Sequence, residues 1–268
     1  MNQQHYRVVI SYNGSDYFGW QDLGDGGEKP TVQFEVLQAL RKISKYAQCV
    51  VTGASRTDAG VHALGQVAKF STPLQIDPTM LQLGMNSLLP DTIRIRECVT
   101  CTPDFNPNKQ CVSKTYRYYF SIDEIGSPLL RDIVAHVPLV SANENANLDD
   151  ALHGIERMKV ACAAFIGQHD FCDFSASDGS EKSTVRTLLK LDLQKSDSAE
   201  FGGEIYSIEI TGNGFLRHMV RYIVAALFEV GREKITVGVI EEAFVNPRQG
   251  KLSSKAKSRG LHLVRIDY

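Results

Sequence analysis

The chain has 268 residues, 43% of them hydrophobic and 22% charged, a globular composition that argues against a disordered chain. A chain of this length buries roughly three quarters of its extended surface on folding, so it fits one or two domains without a disulfide or metal staple. The 29 basic against 31 acidic residues give a net charge of −2, which excludes a globally basic polyanion binder but not one that gathers its cations on a local face. Apolar runs such as residues 223–228 stop far short of the ~20 residues that cross a bilayer. The first residues carry neither a basic nor an apolar leader region, so no membrane association and a cytoplasmic location are expected.

In chain order, residues 6–12 (YRVVISY) are β-branched and aromatic and read as a strand, ended by the turn chemistry of Asn13-Gly14-Ser15-Asp16. The Gly-rich loop at 24–30 lacks the Gly-Lys-Ser/Thr of a phosphate loop. Thr31 is placed to cap a helix whose apolar stripe is Val36, Leu37, Leu40 and Ile43. Residues 49–53 and 66–71 read as strands around a loop at 54–65. A helix over 77–86 begins with Pro78 at a tolerated position, and 92–100 alternates as a strand. The order is β-α-β-β-α-β.

A polar, turn-forming stretch at 102–113 then marks a boundary, giving an expected first domain at 1–105 and a second at 106–268. The pattern restarts with a strand at 114–122 and a short one at 133–137. Asn147 is placed to cap a helix striped by Leu148, Leu152, Ile155, Met158 and Cys162. Paired strands follow at 185–194 and 204–211, helices at 214–230 and 236–245, and a last strand at 261–268. The fold class expected is α+β: two ferredoxin-like halves with mainly antiparallel sheet.

Chemistry concentrates in residues 53–70, GASRTDAGVHALGQVAKF, where a loop joins two strands. Gly60 suits a tight turn that presents the residues before it. Asp58 there has two readings, an Asx turn bonded to its own backbone or a carboxylate held out for catalysis. A second loop, residues 213–221, carries Arg217 and Arg221 one helical turn apart. Cys98 and Cys101 have CxxC spacing, but no second cysteine or histidine pair completes a zinc site, so a strand end is the better reading.

Arg56-Thr-Asp-Ala-Gly-Val-His62 with Gly65-Gln66-Val67 resembles the catalytic motif of the tRNA pseudouridine synthase A family. Further stretches resemble that family in the same order: Tyr12-Asn-Gly14 with Tyr17-Phe-Gly19-Trp20-Gln21, Thr31-Val32-Gln33, Lys114-Thr-Tyr116-Arg-Tyr118, and residues 165–171, 215–221 and 260–268. The resemblance implies the pseudouridine synthase fold and an isomerase that converts uridine to pseudouridine in the anticodon stem-loop of tRNA. It also implies no cofactor, no metal, and a homodimer with a shared basic cleft. It places Asp58 on the catalytic aspartate and Arg221 on the arginine paired with it. Arg56 falls on the arginine linked to base flipping, and Tyr116 on the tyrosine against the target base. Val61, His62, Lys109 and Lys182 are expected among the substrate-binding residues.

Two stretches depart from the family. Phe105-Asn-Pro-Asn-Lys109 replaces a Phe-His-Ala-Arg type of segment, so Lys109 stands near a missing arginine. Ala256-Lys-Ser-Arg-Gly260-Leu261 replaces Ala-Pro-Ala-x-Gly-Leu, losing a proline and gaining two cations. Two rival readings remain at this level: a non-catalytic tRNA-binding or chaperone protein on the same fold, and a zinc or redox protein built on Cys98 and Cys101.

Overall fold

The computed structural model describes residues 3–139, 148–176, 183–196, 204–247 and 250–268. The expected cap Asn147 and the expected substrate contact Lys182 lie outside them. In chain order the elements are β1 (Gln4–Tyr12), α1 (Val32–Ile43), β2 (Val50–Gly53), β3 (His62–Thr72), α2 (Pro78–Leu88) and β4 (Ile93–Thr100). Then come β5 (Ser113–Ser121), β6 (Ala135–His136), α3 (Leu148–Cys162), β7 (Gly167–Asp170), β8 (Val185–Lys195) and β9 (Ile205–Gly212). α4 (Met219–Gly231), α5 (Val237–Val245) and β10 (Leu261–Asp267) complete the chain. It divides into two compact units, Met1–Val112 with His262–Tyr268, and Ser113–Leu261. The division thus falls after Val112 rather than at 105/106, and the last strand returns to the first unit, a long-range pairing that composition along the chain does not reveal.

In the first unit β1 lies between β3 and β4, antiparallel to both. Its Tyr6, Val8, Ile10 and Tyr12 are buried while the residues between them are half-buried, which is the period-2 pattern of a strand with one face on the core. The Thr31 hydroxyl accepts from Phe34 N at 3.4 Å to start α1, which buries Val32, Val36, Ala39 and Leu40. The Asp77 carboxylate caps α2 by accepting from Thr79 N at 2.9 Å and Met80 N at 3.2 Å. Each cap satisfies N–H groups that have no partner within the helix.

β3 begins at His62, four residues earlier than the periodicity indicates. Its stretch 68–71 pairs antiparallel with β2, and His62 and Ala63 pair parallel with His262 and Leu263 of β10. The catalytic-motif loop is therefore shortened to residues 54–61.

In the second unit β5, β9, β8 and β7 are joined in that order by antiparallel ladders, and β6 adds in parallel to β5. α3 and α4 supply its helical layer. α4 is buried on almost every side, from Met219 to Gly231, so it is a core helix. It starts at Met219 and not at 214, because His218 takes a left-handed φ of 60° that ends helical continuity. β7 was not foreseen: its four residues, Gly-Gln-His-Asp, show no apolar alternation.

Candidate active site

The Asp58 loop is built from a framework of buried polar contacts in the first unit. Gln66, fully buried on β3, accepts from Ser55 N at 3.2 Å and donates to Ser55 O at 2.7 Å. The Thr57 hydroxyl bonds the Tyr12 hydroxyl at 2.8 Å, and Thr57 O accepts from Trp20 N at 3.1 Å. Ser55 and Thr57 are thus held inward, while Arg56 is exposed and Asp58 half-buried.

Behind Asp58 the chain turns. Val61 N donates to Asp58 O at 3.1 Å, and Gly60, with φ 74°, donates to Tyr17 O at 3.2 Å. The left-handed φ is the reason for glycine there. Gly14 packs so closely that a Cβ on it would lie 2.0 Å from Val61 O. The Tyr12–Gln21 motif is therefore the platform on which the loop rests.

Val61 and His62, expected to touch substrate, are buried at 1% and 2% exposure. His62 Nδ1 accepts from Gly14 N at 3.1 Å, and the ring stacks on His262 with centroids 4.5 Å apart. These two residues support the loop from within. Lys109 is exposed in a polar turn where the Asn106 side chain accepts from Asn108 N and Lys109 N at 3.1 and 2.9 Å. Asn108 Nδ2 donates to Ala54 O at 3.1 Å, so this departing segment grips the first residue of the loop.

In the second unit Tyr116 sits on β5 opposite Ile210 and is 6% exposed, with its ring edge-on to Phe215 at 5.1 Å. Arg221 occupies the first turn of α4 and is 8% exposed. Its Nε donates to Ala256 O at 2.7 Å, and Ala256 N returns a bond to Arg221 O at 3.1 Å. The next residue's carbonyl, Lys257 O, accepts from the Tyr118 hydroxyl at 2.9 Å. Burial pushes the Tyr118 hydroxyl well above the usual phenol range, with Arg221 and Arg259 opposing the shift. Residues 255–257 therefore form a strap that seats Arg221, while Lys255 and Lys257 themselves stay exposed.

Cys98 lies buried on β4, and burial pushes its thiol up to about 12, with Cys101 also raised, again chiefly by burial. Burial disfavours the thiolate, the form in which a cysteine attacks as a nucleophile.

The sequence matches the tRNA pseudouridine synthase family over residues 8–107 and 161–268. It is 41% identical over 266 residues to tRNA pseudouridine synthase A 2 of Desulfotalea psychrophila, covering 98% of both chains. The chain belongs to the tRNA pseudouridine synthase family. A second relative, tRNA pseudouridine synthase A of Acetivibrio thermocellus, is 35% identical over 99% of this chain and 100% of its own. That of Lactobacillus acidophilus is 33% identical over 98% and 94%. Gln66, Asn108 and the Tyr12–Thr57 pair are supports that no local pattern in the sequence marks. Gln66 stood inside the recognised motif, but only its burial shows that it serves the loop backbone.

Proposed function

We propose that this protein isomerises uridine to pseudouridine in tRNA, with Asp58 as the reacting carboxylate. The observation that carries the reading is the half-buried Asp58 on a loop locked at Ser55, Thr57 and Gly60, in a chain that is full-length kin to tRNA pseudouridine synthases. The reaction breaks the N1–C1′ bond, rotates the base and joins C5 to C1′. The proton lost from C5 is balanced by one gained at N1. A carboxylate can serve by adding to the sugar or base, or by removing a sugar proton to give a glycal; each route needs the ionised form. Arg221 is proposed as the cation that partners this carboxylate in the reaction, as the family resemblance implies.

Arg56, exposed and two residues before Asp58, is proposed to fill the space left by a flipped nucleotide, for which a planar guanidinium that also grips phosphate is suited. Tyr116 is proposed to meet the flipped base. Phe215, half-buried and edge-on to it, is the side chain whose displacement would uncover that ring. Lys109 is proposed as a phosphate contact. Action at the anticodon stem-loop, a homodimer and a cytoplasmic location rest on the family resemblance; among the described residues no helix is long and apolar enough to cross a membrane. The test is a pseudouridine map of unmodified tRNA before and after incubation with the purified protein. New pseudouridine confined to the anticodon stem-loop supports the reading, and none at any position contradicts it. Light scattering should return twice the 29.7 kDa chain mass.

A further inference from the structure

Between β5 and β6 the chain runs through a 3-10 turn at Pro128–Leu130, in a segment that lies outside the two stretches matched to the family. This segment, Lys257 at the end of the strap and Arg259 just beyond it line a cavity of about 210 Å³ within the second unit. Three cations line it, Arg131, Lys257 and Arg259, against one carboxylate, Asp123. That carboxylate is turned to the backbone, accepting from Glu204 N at 2.9 Å. His136 Nε2 bonds Asp123 O at 2.8 Å and closes the loop on itself. Arg259 Nη1 donates to Arg131 O at 3.0 Å, which seats one cation beside another, and Arg131 also meets Asp132 through Nε at 3.0 Å. Lys257 has its backbone fixed by Tyr118 and its side chain exposed. The hydroxyl residues Ser121 and Ser127 complete the polar wall.

The cavity is smaller than the ~300–1,000 Å³ of pockets that enclose a whole organic ligand. A small, net-positive cavity with hydroxyls suits one tetrahedral anion, because each phosphate oxygen can take charge-assisted bonds from arginine or lysine. Two observations connect it to the reaction. The strap that supplies Lys257 is the one whose Ala256 holds Arg221. Ser121 lies five residues along β5 from Tyr116, roughly 16 Å at the rise of a strand, within reach of a polynucleotide that passes the ring.

We propose that this cavity binds a backbone phosphodiester of the tRNA, a contact that two of the chain's departures from its family, Lys257 and Arg259, help to create. The proposal rests on the tRNA reading above. The test compares wild type with Arg131→Gln/Lys257→Gln, both exposed positions, and with Lys159→Gln/Lys234→Gln, which removes the same charge elsewhere. Affinity for unmodified tRNA is measured against salt, together with single-turnover rates at saturating tRNA. The expected result is a slope of log K against log salt shallower by about 0.8, the share of one phosphate contact, and roughly tenfold weaker binding at physiological salt, in the first variant only. Equal slopes in wild type and the first variant, or equal losses in both variants, overturn the proposal. So does a thermal shift by inorganic phosphate that the first variant abolishes while its tRNA slope is unchanged, since the cavity is then a free-anion site. Wild-type protein that binds no tRNA overturns the functional reading as well, whereas normal tRNA turnover with an unchanged slope overturns only this one.

Discussion

At the scale of single residues, the loop chemistry follows from which side chains are held inward. Gln66 satisfies both backbone groups of Ser55. Gln66→Met keeps much of the volume and removes both of those buried bonds, at about 1–3 kcal/mol for each. A fall in melting temperature with a lower kcat is expected, and denaturation and turnover assays check it. Arg56 separates flipping from chemistry. Arg56→Ala should slow turnover more on a paired stem uridine than on an unpaired loop uridine of the same tRNA, because the paired base needs the costlier extrusion. Equal losses in single-turnover rates at the two positions would instead make Arg56 a brace for the loop. His62 shows what sequence alone leaves out. Its place in the motif suggests substrate contact, but the ring is buried, accepts from Gly14 N and stacks on His262, which a strand from the far end of the chain supplies.

At the scale of elements, the caps and strand periods were legible because they are local. Thr31 caps as its position before an apolar stripe requires, whereas Asp77, read as the first helical residue, stands before the helix as its cap. Asp77→Ala removes two N–H bonds at the start of α2 and should lower stability by about 1 kcal/mol, with tRNA turnover unchanged; chemical denaturation reads the first and a rate assay the second. The strands β5, β9 and β8 are also linked through Glu209, which bonds Arg117 at 2.5 Å and Lys190 at 2.9 Å. The Arg117 bond holds the Glu209 carboxyl below its usual value of 4.5. A carboxyl depressed in the folded state contributes stability that is present above its unfolded pKa and lost as pH falls through the folded one. Glu209→Gln should therefore flatten the decline of stability with acid below about pH 4.5, measured by melting across pH. The early start of β3, the late start of α4 and the strand β7 were not legible. The first depends on β10, the second on a left-handed His218, and the third is too short and polar to show a period.

At the scale of the whole molecule, each unit carries part of the proposed chemistry: the first holds Arg56 and Asp58, the second Tyr116 and Arg221. The α+β plan and the ordered motifs were readable along the chain, and its kinship to tRNA pseudouridine synthases spans nearly all of it. The return of residues 262–268 to the first unit was not readable, since nothing local distinguishes a strand that pairs nearby from one that pairs with the start of the chain. With a net charge of −2, affinity for tRNA has to come from local cations, so binding should weaken linearly in log salt. The central claim is that Asp58 performs the chemical step. Asp58→Asn keeps the size of the side chain and removes its charge, so its single-turnover rate of pseudouridine formation on saturating tRNA, measured beside its tRNA affinity, is the most direct test. Near-complete loss of the rate with affinity close to wild type is expected. A homogeneous Asp58→Asn protein that forms pseudouridine at a substantial fraction of the wild-type rate would contradict it.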